Sequence, residues 1–168
     1  MANEHTKEQV NEAIRLMCQS SLGVLDKGFL CQSVSVLSPK EAVCVPEAEQ
    51  LCEVLAHLQQ KKTGCVAVTN AKGEITGIFS ERDFVLKVAH HYAAVSTQPI
   101  SQFMTAGPIT QHMDATIAFA LNLMSSGGFR HIPIVDEQNV PQFMLSVKDV
   151  VDYIVETFTA DLMNFPTE

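Results

Sequence analysis

The chain has 168 residues, 46% hydrophobic and 18% charged, a globular composition long enough for one domain or two small halves sharing a core. Nineteen Asp and Glu against eleven Lys and Arg give a net charge of −8, which argues against a nucleic-acid surface but permits a local basic pocket. No apolar run approaches the roughly 18 residues of a membrane-spanning helix, so no membrane role is expected.

The N-terminus "MANEHTKEQVNEAIRLM" is polar and acidic, unlike a secretory signal or an Arg-rich transit peptide, and a cytoplasmic location is expected. Val10, Ile14 and Met17 share one face of a predicted amphipathic helix. "AVCVP" then reads as a short strand, and "EAEQLCEVLAHLQQK" as a helix with Leu51, Val54, Leu55 and Leu58 at helical spacing. "GCVAVT" and "EITGIFS" are strands joined by the turn "NAKG". "ERDFVLKVAHH" is a helix with Phe84, Val85 and Val88 on one face, closing at His90 and His91, which suit the negative end of the dipole.

"YAAVSTQPISQFMT", with Pro99, reads as a connection. Beyond it come the strand "PITQ" and the helix "DATIAFALNLMSS", capped by Asp114 and ended at Gly127 and Gly128. The strands "RHIPIVD" and "PQFMLS" and the helix "VKDVVDYIVETF" follow. Leu162, Met163 and Phe165 make the tail apolar enough for a docking or dimer contact. Cys18, Cys31, Cys44, Cys52 and Cys65 form no CxxC pair and are odd in number, so they read as small hydrophobes rather than disulfide or zinc ligands.

Both halves read as one β-α-β-β-α unit. A shift of 66 residues, the distance from Asp83 to Asp149, aligns them without a gap. Val66 falls on Ile132, Val68 on Ile134, Ile78 on Met144, Phe79 on Leu145 and Val85 on Val151. Ser80 falls on Ser146 and Asp83 on Asp149, each pair standing between a last strand and its helix. A lone Ser-x-x-Asp there has two readings, a helix cap or a ligand contact. Two copies in step, within a shared apolar frame, favour the ligand. No GxSxG elbow, Walker loop, HExxH or paired catalytic carboxylates occur, and no enzymatic activity is expected.

The segments "TGCVAVTNAKGEITGIFSERDFVLKV", "FRHIPIVD" and "LSVKDVVDYI" resemble the CBS domain pair, or Bateman module, of small stand-alone proteins. The resemblance implies an α/β fold of two CBS repeats packed with pseudo-two-fold symmetry, plus the extra N-terminal helix. The expected divisions are 1–33 lead-in, 34–92 first repeat, 93–101 linker, 102–157 second repeat and 158–168 tail. It further implies a non-enzymatic sensor binding an adenosine-containing ligand (AMP, ADP, ATP, S-adenosylmethionine or NAD(H)) between the repeats, with no covalently bound cofactor. A homodimer and a regulated protein in trans are the implied partners, and a ligand-free homodimeric scaffold is the alternative.

Carried onto this sequence, one site comprises Ser80, Arg82 and Asp83 with Thr110, Arg130, His131 and Ile132 from the other repeat. The second comprises Ser146, Lys148 and Asp149 with Cys44, Val45, Gly64 and Cys65. In these sites Asp would accept both hydrogen bonds of a ribose cis-diol, and Arg, Lys or His would hold phosphate. Phe143 stands where the first repeat has Gly77, so the second site is expected to be the more obstructed and the Asp83 site preferred.

Overall fold

The 66-residue shift is visible in the hydrogen-bonding register of the strands. The computed structural model describes residues 27–163. The expected helix carrying Val10, Ile14 and Met17, and Phe165 of the tail, lie outside the described residues. A short helix α1 (Lys27–Leu30) and a 3-10 turn (Val34–Leu37) lead to β1 (Lys40–Glu41) and β2 (Cys44–Pro46). Then come α2 (Leu51–Lys61), β3 (Cys65–Thr69), β4 (Ile75–Ser80) and α3 (Glu81–Asp83). α3 continues through a π turn (Phe84–Val88) and a 3-10 turn (Ala89–His91) into α4 (Tyr92–Val95). A further 3-10 turn (Ile100–Gln102) and β5 (Thr105–Ala106) precede α5 (Ile117–Gly127), β6 (His131–Val135), β7 (Pro141–Ser146) and α6 (Val147–Met163).

The strands form two sheets, ordered β2-β3-β4-β5 and β1-β7-β6. Cys65 lies opposite Ser80 and Val66 opposite Phe79; His131 lies opposite Ser146 and Ile132 opposite Leu145. Both ladders shift register at equivalent places, Val68/Thr69 and Ile134/Val135. The β-α-β-β-α repeat is therefore real at the level of individual pairs. It is incomplete at one point: the expected strand "PITQ" is reduced to a single bridge between Gln111 and Ile134.

β3 and β6 read as unbroken apolar runs because both of their faces are covered. Val66 and Val68 pack with Phe79, Leu51 and Val54 in the core of the first unit. Ile132 and Ile134 pack with Leu145, Ile117 and Met124 in that of the second. The opposite faces meet between the units, where Cys65, Ala67 and Ile75 pack against Val135 and Met144.

The lead-in segments are exchanged. β1 opens the first repeat but pairs with β7 of the second, whereas β5 opens the second repeat and pairs with β4 of the first. Phe29, Val34 and Leu37 are buried in the second core. Their counterparts under the same shift, Val95, Ile100 and Phe103, are buried in the first. The stretch that reads as a connection is thus a core element, and α1 with its 3-10 turn is its repeat mate.

Two local expectations for the helices are corrected. α5 is capped by Thr116, whose hydroxyl accepts from the Phe119 N–H at 3.3 Å, because Thr116 and not Asp114 adjoins the first turn. Val85 does not share the buried face of Val88; it is 64% exposed, as its repeat mate Val151 is 50% exposed. Phe84 and Val88, four apart, point inward and carry Val85 round to the outside.

Phe143 also departs from expectation, since it packs on the second core and not into a cleft. At Gly77 the corresponding space is filled from elsewhere: an added Cβ would lie 2.3 Å from the Met104 sulfur. The repeat mate of Met104 is the small Ser38, so bulk has moved between strand and lead-in. Core packing, not access for a ligand, explains that glycine.

Candidate functional site

Each Ser-x-x-Asp is a helix-capping box. Ser80 is extended, and its hydroxyl accepts from the Asp83 N–H at 3.3 Å while donating to Asp83 Oδ2 at 2.6 Å. The Ser80 N–H donates to the same oxygen at 3.0 Å. At Ser146 and Asp149 the three bonds recur at 3.3, 2.8 and 2.7 Å. Capping is therefore one job of both motifs, and it fixes each carboxylate at the start of a helix. Their second oxygens differ. Asp83 Oδ1 accepts from Lys87 Nζ at 2.7 Å and from the Thr105 hydroxyl at 3.0 Å. Asp149 Oδ1 has no hydrogen-bond partner among the described residues.

Each capping box opens on a cleft. The first, of about 390 Å³, brings together Ser80, Arg82, Asp83, Arg130 and His131, as expected. The second, of about 530 Å³, brings together Ser146, Lys148, Asp149 and Gly64, as expected. Both volumes suit a small-molecule ligand. The division of the remaining residues is different. Gly64, Glu81, Arg130 and His131 line both clefts and form the wall between them, and Cys65 belongs to the first.

Thr110, Ile132, Cys44 and Val45 line neither cleft. Ile132 and Val45 alternate inward and are buried in their own cores. Cys44 sits at the outer edge of its sheet with its thiol directed at the Ala42 carbonyl. Thr110 is replaced at the cleft by Gly107, Pro108 and Ile109, because the strand it was to occupy does not form. The sequence reading missed Phe129 and the Gly127-Gly128 corner in the first cleft, and Lys40 and Lys62 in the second. Gly128, at φ 66°, was legible as a helix stop, but its lining role arises from its position opposite α3.

The cations are unequally engaged. Arg82 Nη1 reaches across to the Gly128 carbonyl at 2.7 Å, clasping the negative end of α5 from the other repeat. Lys148 pairs with Asp152. No hydrogen bond or ion pair among the described residues holds the exposed Arg130 guanidinium, which faces both clefts.

Burial pushes the Asp83 carboxyl up, but bonds from Lys87, the Ser80 hydroxyl and N–H, and Thr105 outweigh it and leave its pKa lowered. Burial, with Asp83 adding to it, pushes the Cys65 thiol up to about 12, so this cleft residue stays protonated and inert.

His131 is depressed below 6.5, first by burial and then by Arg130, although Asp149 and Glu81 pull the other way. Gly64 leaves the imidazole its room: an added Cβ would lie 3.4 Å from Nε2. An NMR pH titration of His131 should give a midpoint below 6.5. Because the unfolded chain then binds more protons than the folded one, its contribution to stability is complete above 6.5 and is lost as pH falls toward the folded value. A midpoint at or above 6.5 would mean that burial and Arg130 do not outweigh Asp149 and Glu81.

A family model described as the CBS domain matches residues 35–90 and 100–156, the two repeat units. The chain belongs to the CBS domain family. A CBS domain-containing protein of Arabidopsis thaliana is 27% identical over 114 residues, 68% of this chain. The chain spans only 21% of that relative's length. Among solved structures, a CBS-domain containing protein from Agrobacterium tumefaciens is 32% identical, with a TM-score of 0.65, covering 72% of this chain and 98% of its own.

Two more distant CBS structures share the fold, both at 17% identity and 98% coverage of their own chains. One is a CBS domain pair in complex with 5-methylthioadenosine and S-adenosyl-L-methionine, with a TM-score of 0.66 over 76% of this chain. The other is CBSX2 in complex with AMP, at 0.64 over 75%. This CBS pair has, among its described residues, no helix long and apolar enough to cross a membrane.

Proposed function

We propose that this CBS pair is a non-enzymatic sensor of an adenosine-containing ligand bound between its repeats. The observation that carries the reading is the coincidence of each Ser-x-x-Asp with its own cleft, both clefts sharing the unengaged Arg130 and His131. A carboxylate fixed at a helix start accepts hydrogen bonds from a ribose diol. An unengaged guanidinium and an imidazole supply the donors that a phosphate needs. The apolar walls of the first cleft, Ile78, Ile109 and Phe129, suit a purine ring. The distant CBS structures that hold AMP or S-adenosylmethionine support the ligand class.

Binding would tie the two repeats together and favour one relative arrangement, which a partner in trans would read. Val85 and Leu86 on one helix, and Val151 on the other, are exposed apolar positions suited to pairing with a second copy. A thermal-shift screen with AMP, ATP, S-adenosylmethionine and NADH tests the reading. A ligand at 100 times its Kd adds about 2.7 kcal/mol and raises the unfolding temperature measurably. No shift with any adenosyl compound would favour a ligand-free dimeric scaffold.

A further inference from the structure

The two Asp carboxylates that the 66-residue shift superposes are in different states. Asp83 has every acceptor direction engaged: Ser80 holds Oδ2 twice, and Lys87 and Thr105 hold Oδ1. Lys87 is itself anchored, since its ammonium also donates to the Phe103 carbonyl at 3.1 Å and to Thr105 at 2.9 Å. In the second repeat this latch has no counterpart. The mate of Lys87 is Tyr153, whose ring stacks on Phe29 at 5.4 Å, and the mate of Thr105 is Pro39, which has no donor.

We propose that Lys87 selects between the clefts: by occupying the Asp83 carboxylate it makes the Asp149 cleft the tighter of the two for a ligand's vicinal diol. This rests on the adenosyl-ligand reading and reverses the site preference expected from Phe143. A diol entering the Asp83 cleft must displace the ammonium or the Thr105 hydroxyl, exchanging one hydrogen bond for another with little gain. At Asp149 it meets an oxygen with no hydrogen-bond partner among the described residues, in a larger cleft, and no protein bond has to be given up for the new ones. The selection is local to four side chains, so it can be removed without touching the cores.

Calorimetry with adenosine tests this, because an uncharged probe separates loss of the latch from loss of attraction for phosphate. Asp149→Asn, which keeps the side chain's size at the cap, should weaken the tighter binding event by about tenfold or more, and Asp83→Asn by less than about threefold. Lys87→Met should tighten the Asp83 cleft by about fivefold, the scale of one partly exposed ion pair, whereas Lys87→Arg should not. Loss of the tighter event in Asp83→Asn, or unchanged binding in Lys87→Met, would overturn the proposal while leaving the sensor reading intact. Absence of binding by adenosine and by AMP in every form would overturn the sensor reading and this proposal with it.

Discussion

Phe79→Ala should destabilise the protein by about 3–5 kcal/mol, read as a drop in the midpoint of urea unfolding. Phe79 has no exposed surface and lies opposite Val66 in the ladder that ends at Ser80, just ahead of α3 and Asp83. It packs in one cluster with Leu51 and Val54 of α2, Val88 at the end of the π turn, and Ile100 of the exchanged segment. Removing its ring would open a cavity touching all of these, and close packing lets few of them relax into it. Domains of this size have net stabilities of about 5–15 kcal/mol, so the loss would be about 30–50% of the total at the middle of that range. A cost below about 1 kcal/mol would show that the ring is not packed as described.

Arg130→Ala should weaken AMP by about ten- to a hundredfold while leaving adenosine within a fewfold, because a charge-assisted hydrogen bond contributes about 1.5–3 kcal/mol. Arg130 suits this role for a negative reason as well as a positive one. Arg82 is engaged with Gly128 and Lys148 with Asp152, whereas no bond among the described residues holds the Arg130 guanidinium at the wall of both clefts. The same substitution removes a positive neighbour of His131, so the imidazole midpoint should rise. Equal losses for AMP and adenosine would mean that Arg130 acts on the shape of the wall and not on phosphate.

Much of this architecture was legible because the sequence states it twice. The apolar pairs Val66 and Ile132, or Phe79 and Leu145, must face their own helices, and a one-residue slip would have turned them out. Their alignment therefore predicted the ladder register itself. The exchanged lead-ins were harder to read. Val34 and Ile100 are repeat mates, but each is flanked by Ser, Gln and Pro, and such flanks read as loop. Their burial depends on which core they cross to, which is a long-range fact.

The site was partly legible for the same reason. Ser80, Asp83, Ser146 and Asp149 were fixed by the repeat and by capping chemistry, both of which are local. The residues lent across the cleft were not. Thr110 and Cys44 were assigned by resemblance, but the expected second-repeat strand is reduced to one bridge and Cys44 lies on the edge strand of its sheet. Phe143 misled because a strand residue can face either of two buried sides, and composition does not say which. Lys87 gave no signal in sequence beyond an ordinary i,i+4 pair with Asp83; its meaning lies in the absence of any equivalent at Tyr153.

The proposed sensor role is tested most directly by an amide NMR titration with AMP. Gly64, Arg130 and His131 line both clefts and come from both repeats, so their amide resonances should move and saturate whichever cleft fills first. Saturating AMP that leaves all three unmoved, or that moves only residues outside the two clefts, would contradict it.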